Sequence, residues 1–200
     1  PDAFKNATKT LEARIDKYGN NDNTKEWVKG QDAVFANCES AKSAPETLSQ
    51  TFPEWLRKDR EYQIAAAQFY MGDFVKSRES FDKIGADNAS VWKNTAKLVS
   101  ARTFIRQASF IEIPDDEAAK TQAENQRKEF LRQAAEKLQS ILADNSMQEF
   151  HQSASRLLGL VKFRMTPLER QKELNEILTQ SAENANIYND LTDLEWLLNY

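Results

Sequence analysis

The segment Tyr62–Ala89, YQIAAAQFYMGDFVKSRESFDKIGADNA, decides the fold. Its alanine-rich first half runs to Gly72, where a left-handed residue that ends a helix costs least. Phe74, Ser77, Phe81 and Ile84 then recur at steps of three and four, one face of a second helix. Ser77 is small enough to let the two helices approach closely. Asp87-Asn88 marks the turn that follows. The stretch therefore predicts a helix, a tight reversal and a second antiparallel helix.

The same spacing returns downstream. Phe74, Ser77, Glu79, Phe81, Ile84 and Ala86-Asp87-Asn88 are matched at one constant offset by Leu131, Ala134, Glu136, Leu138, Ile141 and Ala143-Asp144-Asn145. A looser match follows each turn, with Ala96, Ala101, Ile105 and Arg106 against Ala154, Gly159, Phe163 and Arg164. Two copies of one helical unit point to stacked helix pairs rather than an irregular bundle.

Ala65, Gly72, Phe74, Ser77, Phe81 and Ile84 resemble the tetratricopeptide repeat, a helix pair of 34 residues. Glu61 and Ala89 stand where that family carries a tryptophan and a closing proline, and the interval between the two copies exceeds its period. The stretch Ile111–Gln126, interrupted at Pro114-Asp115-Asp116, is expected to hold the excess. The resemblance implies an all-α chain of antiparallel helix pairs stacked as a right-handed α-solenoid of about nine helices. It also implies a concave groove lined by the first helix of each unit, here Asp59, Tyr62, Ala66, Phe69 and Tyr70, holding a protein or peptide. The asparagine and lysine clamp of carboxylate-binding members has no counterpart at these positions. The run Trp27–Cys38 and the run Arg60–Ala67 also resemble uncharacterised bacterial repeat-like proteins.

Composition agrees with helix throughout. The chain has 200 residues with only five glycines and five prolines, and Ala, Leu, Glu, Lys and Gln are abundant. Nothing in it alternates with the period of a strand. Helices are expected at about Asp2–Tyr18 (stopped by Gly19), from Thr24 as N-cap through Trp27 and Val34, and from Pro53 to Met71. Others follow at Asp73–Ile84, Val91–Ser109, Ala118–Leu142, Ser146–Arg164, from a Thr166-Pro167-Leu168-Glu169 capping box, and from Asn184 or Asn186 along Ile187, Leu191, Leu194 and Leu198. A polar loop separates the second and third, Ser40–Gln50. The whole, residues 1–200, reads as a single helical domain, expected to be excised from a longer protein because it starts at Pro1 and its last helix has no cap.

Chemistry-bearing residues are sparse. His151 is the single histidine and Cys38 the single cysteine, so neither a histidine pair, a clustered metal site nor an internal disulfide is available. Asn20–Thr24 lacks the glycine and the bidentate acid of a calcium loop and reads as a turn. No cofactor, metal or catalytic residue is expected. The net charge of −4 has interspersed signs, and no basic block marks a nucleic-acid or acidic-membrane partner. The densest basic cluster, Arg57-Lys58-Asp59-Arg60, reads as a solvated helix start, and Trp27, Trp55, Trp92 and Trp196 as packing residues. No apolar run is long enough to span a bilayer. The compartment, periplasmic or cytoplasmic, is left open. The reading is a non-enzymatic protein-binding scaffold or adaptor. The alternative is a helical accessory domain of a larger enzyme, for example one acting on cell walls, whose catalytic part lies elsewhere.

Overall fold

The computed structural model describes residues 2–39, 42–180 and 187–198. Among them are nine α-helices and two short 3₁₀ turns. The helices are α1 (Asp2–Tyr18), α2 (Asp22–Ala36), α3 (Glu54–Met71), α4 (Phe74–Ala86), α5 (Lys93–Ser109), α6 (Glu117–Ala143), α7 (His151–Met165), α8 (Pro167–Gln180) and α9 (Ile187–Leu198). The all-α expectation holds for the described residues. Packing is mostly between chain neighbours: α1 on α2, α2 on α3, α3 on α4, then α6 on α7, α7 on α8 and α8 on α9. The chain divides into two compact units, Pro1–Ala96 and Lys97–Tyr200.

In the first unit the α3–α4 hairpin forms as the sequence dictates. Gly72 sits at φ +85°, and the N–H groups of Gly72 and Asp73 bond back to Phe69 O and Gln68 O at 3.3 and 3.0 Å. This closes the helix with the reciprocal pattern of a Schellman end. Ser77 is fully buried and donates its hydroxyl to Ala65 O at 3.1 Å. A larger side chain there would hold the helices apart. Phe74, Phe81 and Ile84 are buried along the same face.

The packing of α2 on α3 rests on a different device. Gly30 leaves room for the side chains of Arg60 and Gln63: a Cβ at Gly30 would lie 2.2 Å from Gln63 Oε1 and 2.7 Å from Arg60 Nε. In that space Arg60 donates to Glu46 O, to Glu26 O and Oε1, and to Gln63 Oε1. Gln63 in turn donates to Trp27 O at 3.0 Å. Arg60 is therefore buried and fully engaged, and the cluster around residues 57–60 is not a solvated helix start. Its charge reaches the interior because carbonyls and a carboxylate from α2 and the following loop receive it.

In the second unit, Leu98, Ala101, Phe104, Ile105 and Ala108 of α5 form one apolar core with Leu131, Ala134, Leu138 and Ile141 of α6 and Ala154 and Val161 of α7. The repeated turns noticed in the sequence are also repeated in geometry. Asp87 and Asp144 both have extended backbones, both bond back through N–H to an isoleucine carbonyl, and both accept from the N–H two residues on, at 2.9 Å. Each also pairs with a lysine of the preceding helix, Lys58 of α3 and Lys97 of α5.

Several local expectations are corrected. The cap of α2 is Asn21, whose side chain accepts from Asn23 N and Thr24 N while Thr24 Oγ1 accepts from Asn21 N, so Thr24 is the third helical residue. Thr166 does not build a capping box with Glu169: its N–H, which the Glu169 side chain would have to receive, bonds back to Lys162 O of α7 at 2.8 Å, and its hydroxyl donates to the same carbonyl. The helix expected over Ala118–Leu142 forms as α6, and Asp116 of the inserted stretch caps it by accepting from Ala119 N. Trp196 is mostly exposed, as are Leu191 and Leu198 of the expected α9 stripe, while Ile187 is nearly half exposed and Leu194 half-buried, so that stripe is only partly covered. The proposed start of α9 at Asn184 or Asn186, and the opening of the Ser40–Gln50 loop, lie outside the described residues.

Two glycine substitutions separate conformational from steric cost. At Gly72 an added Cβ meets nothing within 4 Å, so Gly72→Ala should lose only the left-handed preference, about 1–2 kcal/mol. Gly30→Ala gains helix propensity of about 1 kcal/mol yet displaces buried, hydrogen-bonded groups, each costing about 1–3 kcal/mol if stranded. Urea denaturation should show both variants destabilised. A stabilised Gly30→Ala protein would contradict the tight α2–α3 approach.

Candidate binding groove

The residues that the repeat resemblance assigns to a groove occupy unequal environments on α3. Asp59 is 1 % exposed, and its carboxylate accepts from Arg14 Nε and Nη2 at 2.6 and 2.9 Å and from Trp92 Nε1 at 2.7 Å. The bidentate bond to Asp59 is the main reason Arg14 holds its proton more tightly than usual, against an opposing effect of burial. Tyr62 is half-buried, stacked on Trp92 with ring centroids 4.2 Å apart and edge-on to Phe81 at 5.6 Å. Phe69 is buried and meets Tyr70 and Phe74 edge-on. Ala66 and Tyr70 are half-buried. The structure thus gathers Asp59 and Tyr62 around Trp92, while Phe69 and Tyr70 form a separate aromatic contact one helical stretch further on.

A groove of about 680 Å³ lies within the second unit, in the size range typical of ligand sites. Its floor is Ala108 of α5 and Leu131 of α6, both buried. Phe163, Pro167, Leu168 and Leu197 supply apolar walls, and Leu168 is 74 % exposed. Ser109 and Gln171 add polar edges.

Two guanidinium groups complete it, Arg127 and Arg164. Arg127 is fixed by the end of α5, donating from Nε to Ala108 O at 3.2 Å and from Nη2 to Ile111 O at 3.0 Å. The Ala108 carbonyl belongs to the last turn of α5, where a cation is favoured, and Ile111 lies two residues past the end of that helix. Arg164 donates from Nη1 to Ser109 Oγ at 2.7 Å. Neither arginine is within ion-pair distance of a carboxylate among the described residues, and no aspartate or glutamate lines the groove. Although Arg164 as a residue is exposed, its proton is held less tightly than usual, first through loss of surrounding water and then through the positive charge of Arg127.

The helices that bear these side chains are locked together by a third arginine. Arg170 is buried and donates to Glu173 Oε2, Asp190 Oδ1 and Asp193 Oδ2, at 3.1, 2.6 and 3.3 Å. Burial alone would loosen its proton, but the bond to Glu173 and the charge of Asp190 outweigh that and raise it. Glu173 also receives Lys162 of α7 at 2.6 Å. Gly159 of α7 makes the space, since a Cβ there would lie 2.9 Å from Arg170 Nη2. Thus α7, α8 and α9 carry Arg164, Leu168 and Leu197 on a fixed frame.

Sequence reading did not single out this groove. Its arginines come from α6 and α7, far apart in the chain, and the sequence marks Leu168 only as part of the Thr166–Glu169 capping pattern. The available signal was Arg164 itself, which matched Arg106 in the loose repeat. His151, the single histidine, has Nε2 3.1 Å from Asp144 O. No helix among the described residues is long and apolar enough to cross a membrane, and no group of three or more potential metal ligands occurs among them. No protein-family model, curated protein or solved structure matches the chain.

Removing Asp59 should strand the buried guanidinium of Arg14 and the indole N–H of Trp92. Asp59→Ala is expected to cost about 3–5 kcal/mol, and Asp59→Leu combined with Arg14→Met to recover part of that loss. Guanidinium chloride titrations of the single and double variants measure it. Equal losses in the two would argue against a buried pair.

Proposed function

We propose that this chain is a non-enzymatic protein-binding module, a divergent tetratricopeptide-like stack of helix pairs that holds a segment of another protein. Support for the repeat comes from the matching Asp87 and Asp144 turns, each tied to a lysine of the preceding helix. The observation that carries the binding reading is the groove of the second unit, with its exposed Leu168 above a buried Leu131 floor. A preformed surface on braced helices loses little freedom when a partner arrives. Apolar walls with a few fixed polar groups suit side-chain capture. The α3 positions Asp59 and Phe69 are engaged in packing, so the binding role moves to α6–α9.

The test is selection of random 12-residue peptides displayed on phage against the intact chain. Peptides that bind the native protein and lose at least tenfold affinity on Leu168→Asp are expected. Leu168 is largely exposed, so that substitution should leave the melting temperature within a few degrees of the parent. Failure to select any peptide sensitive to Leu168→Asp would refute this function.

A further inference from the structure

We infer that the groove of the second unit recognises an acidic amphipathic peptide segment, with its leucine or phenylalanine side chains on the apolar walls and its carboxylates on Arg127 and Arg164. This rests on the protein-binding reading above and adds the chemistry of the partner. Three observations lead to it.

The first is charge without a countercharge among the described residues. Arg14, Arg60 and Arg170 each meet at least one carboxylate within the chain, whereas Arg127 and Arg164 meet carbonyls and a hydroxyl. The second is unused donor capacity. A guanidinium offers five N–H donors; Arg127 spends two on Ala108 O and Ile111 O, and Arg164 one on Ser109 Oγ. Both keep N–H groups with which to grip a carboxylate in paired bonds. The third is mutual repulsion: loss of surrounding water, and after it the positive charge of Arg127, lowers the proton affinity of Arg164, and an arriving carboxylate offsets the repulsion between the two like charges. A neutral apolar ligand would leave it in place.

Selectivity follows from the rest of the molecule. The chain carries −4 overall, so its net charge does not draw an acidic segment in, and the attraction comes from these two arginines. The walls then demand that the same segment bring apolar side chains. A purely acidic peptide gains no burial at Phe163, Leu168 and Leu197, and a purely apolar one gains no ion pair.

The peptides selected from the display library provide the probes. They should be enriched in Asp or Glu together with Leu or Phe. Fluorescence anisotropy should show Arg164→Gln weakening them tenfold or more. Replacing their acidic residues by Gln or Asn should weaken binding to the parent chain similarly, with little further loss on the Arg164→Gln chain. Raising salt from 50 to 500 mM should weaken the acidic peptides and spare their amide versions. Because Arg127 also caps α5, Arg127→Gln is read only alongside its melting temperature. Groove-dependent peptides without acidic bias, or acidic peptides indifferent to Arg164→Gln, would overturn the inference while leaving the protein-binding function intact. If no peptide depends on the groove and dodecanoate instead binds saturably and is lost on Arg164→Gln, the site belongs to a small amphiphile, and both readings fall.

Discussion

A charge taken out of water must be met by an opposite charge or by oriented dipoles, and that requirement organises this molecule. In the first unit it is met entirely from within. Asp59 on α3 draws Arg14 from α1 and the Trp92 indole to one carboxylate, and Arg60 on the same helix reaches back to α2 and the loop after it. The apolar faces alone would allow α1, α2 and α3 to slide along one another. Directional bonds from two charged residues fix their register, and Gly30 supplies the space in which those bonds form.

The second unit repeats the device and then departs from it. Gly159 stands to Arg170 as Gly30 stands to Arg60, and three carboxylates surround the Arg170 guanidinium. Where the first unit sets the polar pair Asp59 and Trp92 beside its turn, the second has Leu98 and Phe150 in one apolar cluster. Core cohesion there needs no buried carboxylate near α5. The cations left at the end of α5 and α7, Arg127 and Arg164, face a groove instead of a partner. Pairing within the chain builds the frame, and in the proposed function the two groove arginines are the charges that would meet a partner.

Much of the fold was legible in the sequence because it depends on local signals. The steps of three and four along Phe74–Ile84, the stop at Gly72 and the twice-used Asp-Asn turn are each decided within a few residues, and each formed as read. What escaped were features set by distant partners. Asp59 and Arg60 looked like solvent-facing charges because the residues that receive them lie 45 and 34 positions away. Thr166 had a closer carbonyl to bond than the capping pattern assumed. Trp196 looked like a packing residue because side-chain type reports the preference for burial, and only the arrangement of neighbouring helices reports whether cover is supplied. The groove was hidden for the same reason, since its two arginines belong to different helices and gain meaning only when the end of α5 brings them together.

The most direct test follows the arginine Nε–Hε resonances of the intact chain by nuclear magnetic resonance as a glutamate- and leucine-bearing peptide is titrated in. Pairing within the frame predicts that Arg14, Arg60 and Arg170 stay in place, while Arg164, and Arg127 with it, shift in proportion to the bound fraction. Shifts spread equally over all five, or confined to the three paired arginines, would contradict the division between charges that hold the structure and charges that await a partner.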